Sequence, residues 1–276
     1  MRRIPMIAIL VGIAAVVASF AAADGPADKL TSATALDPDR SLEVSQQAIG
    51  RTVGNHRLIA STGETVVLND LRGKALVISL VYTSCTHVCP MITQRLRKSV
   101  EEARRMMGPD RFTVVTVGFD ARNDTPMRMA AYARAQGVDL PNWKFFSGDN
   151  ATISALAKDL GFTYVASGGG YLHISQITIV DRDGRIYRQV YGDTFSIWLL
   201  IDPLKELIEG TPVPVRSLGD FLERVRILCT VYDPRTNTYR FKTTVIGEVV
   251  SFVAITIAIA WFVWFERRRR RKASAR

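Results

Sequence analysis

The chain has 276 residues, 47% of them hydrophobic and 22% charged, with a formal net charge of +10. Nine basic residues sit at the two ends (Arg2, Arg3, Arg267 to Lys272 and Arg276), and without them 27 basic residues face 26 acidic ones. A body this close to neutral excludes a nucleic-acid-binding surface, and the length allows one full-sized domain with appendages.

Residues 1–23 combine a short basic start, an apolar stretch from Ile4 to Phe20 and the small residues Ala21-Ala22-Ala23. This is the pattern of a secretory signal peptide, with an uncleaved anchor as the other reading. Residues 24–48, rich in Ala, Asp and Ser without a sustained period, are expected to be a flexible linker. The folded domain is expected over 49–212.

That domain opens with a hairpin across Ser61-Thr62-Gly63-Glu64, a polar turn whose glycine can take positive φ. A second turn, Asn69 to Lys74, feeds the apolar strand Ala75 to Tyr82. Then comes Thr83-Ser84-Cys85-Thr86-His87-Val88-Cys89-Pro90, and a helix from about Pro90 to Met107, stopped by Gly108-Pro109. Pro90 suits a first helical turn, where a missing N–H has no intrahelical partner. Phe112 to Val117 reads as a core strand. Thr125-Pro126 reads as an N-cap and first position of a helix running to Gln136. A short strand at Trp143 to Phe146, a helix over Asp149 to Leu160, a glycine loop at 167–170 and Tyr171-Leu172-His173 follow. Gln176 to Val180 and Arg185 to Tyr191 form a hairpin, and Phe195 to Glu209 an amphipathic helix.

Strands alternating with helices predict an α/β domain with a mostly parallel central sheet and an antiparallel edge. A cysteine pair between an early strand and the first long helix is a thioredoxin-like arrangement. The glycines at 168–170 precede a strand rather than open a helix, so no nucleotide site is expected.

Residues 213–244 form a juxtamembrane segment. Over 245–265, Val249 to Phe265 is an uncharged run of 17 residues with Trp261 and Trp264 near its end. Its length matches a transmembrane helix. The basic tail at 266–276 is then cytoplasmic by the positive-inside rule, and the domain lies outside, most simply in a bacterial periplasm beside the inner membrane.

In that compartment a disulfide-stapled domain would be small and cysteine-dense, and this chain holds only Cys85, Cys89 and Cys229. Cys85 and Cys89 are therefore expected to be a working pair at a helix N-terminus, whose partial positive charge favours thiolate. Their C-x-x-x-C spacing permits a disulfide. It also lets two thiolates flank a soft metal, and with an added imidazole the set suits copper, Cu(I) above all.

Tyr82-Thr83-Ser84-Cys85-x-x-x-Cys89-Pro90, Asp120-x-x-x-Asp124-Thr125-Pro126, and His173 ahead of Ile177-x-x-Val180-Asp181-x-Asp183-Gly184-Arg185 together resemble the Sco/SenC family. The resemblance runs from about Arg51 to Glu209. It implies a thioredoxin-like, membrane-tethered copper protein that helps build the binuclear copper centre of cytochrome c oxidase subunit II, exchanging copper (Cu(I) or Cu(II)) with that acceptor and with other copper carriers. It further implies Cys85, Cys89 and His173 as the copper ligands, with the two cysteines also able to cycle between dithiol and disulfide. The family's typical anchor is N-terminal. Here the clear span is C-terminal, preceded by Cys-x-x-x-Asp-Pro at Cys229 to Pro234, as in some members.

Asp120 is a candidate to orient His173 or the cysteine loop, or a plain turn former. Solvent is the expected place for His87 and His56, and the core for Met91 and Met127. The role of Cys229 stays open.

Overall fold

The computed structural model describes residues 36–168, 170–210, 230–236, 238–241, 251–252 and 254–265. Within the stretch expected to be a linker, an α-helix forms at Pro38–Gln47 (α1), so the fold begins ahead of residue 49. Asp37 caps it, its carboxylate accepting from the N–H groups of Asp39 and Arg40, and Pro38 takes the first turn. The buried face of α1 is made of Ser41 and Ser45 rather than of leucines, and the Ser45 hydroxyl bonds that of Tyr191 at 2.9 Å. Small polar contacts of this kind leave no hydrophobic period to read.

The main sheet contains β1 (Arg57–Ala60), β2 (Thr65–Val67), β3 (Ala75–Val81), β4 (Phe112–Gly118), β5 (Trp143–Ser147), β8 (Gln176–Val180) and β9 (Ile186–Tyr191). Between β5 and β8 the chain forms a separate ribbon, β6 (Tyr164–Ser167) paired antiparallel with β7 (Gly170–His173). The long helices are α2 (Val88–Met107), α3 (Pro126–Ala135), α4 (Asn150–Asp159) and α5 (Trp198–Glu209). Their ends follow the expected signals. Thr125 and Asp149 cap α3 and α4 through their side chains, and Gly210 ends α5 in the left-handed region at φ 71°.

The strand order is β2-β1-β5-β4-β3-β8-β9. Only β3–β4 and β4–β5 are parallel, each joined through a helical crossover, α2 and α3 respectively. The other pairings are antiparallel, so the sheet is mixed rather than mostly parallel. The reason is local: β8 arrives directly from the β6–β7 ribbon instead of from a helix, and β1 and β8 are both members of hairpins. β3 is buried along its whole length, as its apolar run requires. Helix α5 packs on β3, β8 and β9 and against α2, while α3 packs on β5.

A C-terminal hairpin, β10 (Thr230–Asp233) with β11 (Thr238–Phe241), lies in the segment expected to be juxtamembrane. Residues 251–252 and 254–265 are helical and exposed. Among the described residues no helix is long and apolar enough to cross a membrane. The signal segment, Cys229 and the basic tail fall outside the described residues.

Glycine is required where two chain segments nearly touch. A Cβ on Gly118, at the end of β4, would lie 2.4 Å from Cβ of Asp124 and 2.8 Å from Sδ of Met129. We predict that Gly118→Ala costs about 1–3 kcal/mol through overpacking. It would appear as a lower urea midpoint at unchanged slope; an unchanged midpoint would mean that Asp124 moves aside freely.

Candidate metal centre

The cysteine loop leaves the C-terminal end of β3 and enters α2, which starts at Val88, two residues earlier than expected. Cys89 therefore sits in the first turn, where its N–H has no helical acceptor. His87 holds the N-cap position, but its side chain makes no capping bond. Instead the Cys89 N–H donates to Sγ of Cys85 at 3.3 Å, so a sulfur caps the helix.

The two sulfurs are not equivalent. Cys85 is partly exposed, Cys89 is buried, and the two are not joined by a disulfide. The Cys85 thiol is pulled down to about 4, chiefly because it accepts a hydrogen bond from the Cys89 thiol; backbone N–H donors and the Tyr82 hydroxyl add to this against the opposing effect of burial. Cys89 is pushed up, first by giving its proton to that bond and then by burial. Tyr82, beside the loop, is raised to about 12 by burial and by its bond to Cys85. At neutral pH the pair is one thiolate and one thiol.

His173 ends β7. Its Nδ1 lies 3.0 Å from the carbonyl oxygen of Ile174, which in the neutral ring makes Nδ1–H the donor and leaves Nε2 free. Burial lowers its pKa, favouring the neutral imidazole. The ring sits among aromatics, 5.3 Å from Phe162, 5.5 Å from Phe119 and 6.2 Å from Tyr82 between centroids. Gly170 makes this approach possible. At φ 131° it carries β7 over Tyr82, and a Cβ there would stand 2.8 Å from the phenol oxygen.

Cys85 and His173 line the same cavity of about 340 Å³. Cys89 lies behind Cys85, in the core. Among the described residues no three His, Cys, Asp or Glu side chains converge closely enough to hold a metal ion. The chemistry of the donors still suits a soft ion: a thiolate, a thiol that can lose its proton, and a neutral imidazole on a residue that lines the same cavity.

The carboxylate that orients the loop is Asp124, not Asp120. Oδ1 of Asp124 accepts from the N–H and the hydroxyl of Thr83 at 2.8 and 2.7 Å, and Oδ2 accepts from the Asp120 N–H at 2.9 Å. Asp120 accepts from Asn123 at 2.7 Å and faces the phenol of Tyr171, whose pKa burial and this carboxylate raise. Asp124 lay inside the motif that carried the family resemblance; what its position could not reveal was which of the two aspartates turns toward Thr83.

Elsewhere His87 is exposed, as expected. His56 is not a free surface residue: its Nε2 meets Oδ2 of Asp159 at 2.7 Å, and the Gly54 N–H donates to the same oxygen. Met91 is half-buried, but Met127 is 77% exposed, because the buried methionine of α3 is Met129.

The asymmetry of the cysteines yields a direct test on the metal-free dithiol protein. Alkylation of Cys85 by iodoacetamide, followed by peptide mass spectrometry, should be almost independent of pH above about 6, with Cys89 unmodified. A rate rising about tenfold per unit between pH 6 and 8 would mark an ordinary thiol instead.

A family model described as SCO1/SenC matches residues 44–209. A SCO1 protein homolog of Bacillus subtilis (strain 168) is 23% identical over 136 residues, or 47% of this chain and 68% of that one. The structure of Arabidopsis thaliana ScoI with copper bound superposes at a TM-score of 0.52 and 19% identity, over 58% of this chain and 99% of its own. BsSco, a member of the Sco family of cytochrome c oxidase assembly proteins in which a disulfide switch is identified, gives a TM-score of 0.52 at 19% identity, over 57% and 94%. These similarities show a shared mixed α/β, thioredoxin-like fold. The matched stretch covers more than half of the chain and includes the cysteine loop, Asp124 and His173, and by it the protein belongs to the SCO1/SenC family.

Proposed function

We propose that this protein is a membrane-tethered, periplasmic copper metallochaperone that serves the binuclear copper centre of cytochrome c oxidase subunit II or a related acceptor. The observation that carries the reading is the shared cavity of Cys85 and His173, with the Cys89 N–H donating to the first sulfur from behind. Copper is cargo here. Cys85, Cys89 and His173 hold it, and the acceptor's thiolates and imidazoles displace them one at a time. Family membership and copper-bound Arabidopsis ScoI support this. The uncharged run from Val249 to Phe265 supports the tether, which raises the effective concentration of the domain toward a membrane-bound acceptor.

A second reading, reduction of the acceptor's cysteines before metal loading, is favoured by the asymmetric pair. The Cys85 thiolate attacks one sulfur of the acceptor disulfide and expels the other as a thiolate. Cys89, deprotonated, then attacks Cys85 in the mixed disulfide. The products are a Cys85–Cys89 disulfide and an acceptor dithiol, with two electrons transferred.

Anaerobic loading of the reduced full-length chain with Cu(I) separates the two. We expect one retained copper per chain in wild type, its loss in Cys85→Ala or Cys89→Ala, and sharply weaker binding in His173→Ala. No retained copper, with disulfide exchange intact in His173→Ala, would make the reductase the better reading.

The protonation states add a second expectation. Cys85 is already a thiolate and His173 neutral at pH 7, so uptake displaces only the Cys89 proton. Weakly buffered titration should release about one proton per Cu(I); a release of two would show that Cys85 is protonated at rest.

A further inference from the structure

The β10–β11 hairpin lies outside the residues matched by the family model, yet it packs beside the candidate metal centre. Tyr232 is buried and stacks on Tyr191, with centroids 5.1 Å apart and planes at 20°. From β11, the Tyr239 hydroxyl accepts from the Tyr191 N–H at 3.2 Å. At the turn, the Arg235 guanidinium gives two bonds, at 3.1 and 2.6 Å, to Oδ2 of Asp39 in α1. Segments from before and after the matched region are thus latched to each other. Both reach the cavity, which Leu36, Pro38, Tyr232 and Pro234 line together with Cys85 and His173.

Tyr232 also forms a small apolar cluster of its own with Ile174 and Tyr191. Ile174 is the residue whose carbonyl oxygen lies 3.0 Å from Nδ1 of His173. A chain of contacts therefore runs from the hairpin to the imidazole. Tyr232 and Tyr191 share a buried cluster with the Ile174 side chain, and the Ile174 carbonyl fixes the tautomer of the ring, leaving the Nε2 lone pair for a metal. Partners that bond the far nitrogen of a ligating histidine orient it and tune its basicity. Here that partner is a backbone carbonyl, and what steadies the backbone lies some sixty residues along the chain.

We propose that Tyr232 is a positioning residue for the metal centre, acting through Ile174 on His173, and that the Arg235–Asp39 latch keeps the hairpin in place to do so. This rests on His173 being a copper ligand, the reading given above. Without the hairpin the His173 loop would lose one of its walls, and the imidazole would sample directions that do not meet the sulfurs.

The test is a double-mutant cycle on the full-length chain, with Cu(I) itself as the probe and a chromophoric chelator as competitor. Tyr232→Ala should weaken Cu(I) binding about tenfold, the lower end of what outer partners of metal ligands contribute. Tyr232→Phe keeps the ring and should retain wild-type affinity. In a His173→Ala background Tyr232→Ala should cost nothing further, a result that a general loss of packing would not give. Unchanged affinity in Tyr232→Ala, or an equal loss in both backgrounds, overturns the proposal while leaving the copper reading intact. A wild-type chain that retains no Cu(I) overturns both. Thermal melting is compared first, and if Tyr232→Ala does not fold, Arg235→Ala decides. That exposed side chain lies outside the core, and its removal should weaken binding about threefold in the wild-type background and not at all beside His173→Ala.

Discussion

A single buried carboxylate, Asp124, ties together the loops that leave the C-terminal ends of the two central parallel strands. One oxygen takes both donors of Thr83 in the cysteine loop, and the other takes the Asp120 N–H after β4. Burial raises its pKa, and the bonds from Thr83 and Asp120 work against that rise. Removing those donors would leave an unpaired buried charge, which costs far more than any one of the bonds contributes. The turn between β3 and α2 is therefore held from the side as well as from its ends. Gly118 belongs to the same arrangement, since only a residue without Cβ leaves room for the aspartate.

Held in that way, the loop makes two chemically similar cysteines into different groups. Four residues of spacing place Cys85 outside the helix and Cys89 within its first turn. The helix end supplies the N–H, the core removes water from the second sulfur, and the shared proton settles on Cys89. No distant charge is needed; the asymmetry follows from where the helix starts.

Much of this was legible in the sequence because the signals were local. Thr125-Pro126 and Asp149 announced their helices, the apolar run before Tyr82 announced a central strand, and the cysteine spacing marked the loop. Sheet direction was harder to read, since strands that follow helices and strands that follow ribbons look alike in composition; β8 joins β3 antiparallel for that reason. Helix α1 was missed because its buried face is serine, and the pairing of His56 with Asp159 because more than a hundred residues separate them. Within the site, Cys85 and His173 could be named in advance by resemblance. The roles of Asp124 and Ile174 could not, because each depends on which way a loop turns.

The ribbon that carries His173 is bonded strand to strand only with itself and adds no rung to the seven-stranded sheet. Its backbone can detach from the body without breaking any β3–β4 or β3–β8 hydrogen bond, and what holds it there is the packing of Tyr171 and His173 on Tyr82 and Phe119. Two of the three candidate donors thus follow the central strand β3, in its loop and in the first turn of α2, and the third ends the separate ribbon. In native-state hydrogen exchange the amides of β6 and β7 would form a cooperative unit separate from those of β3. On the copper reading proposed above, a donor set divided in this way would let His173 approach or leave an ion while the cysteine loop stays folded.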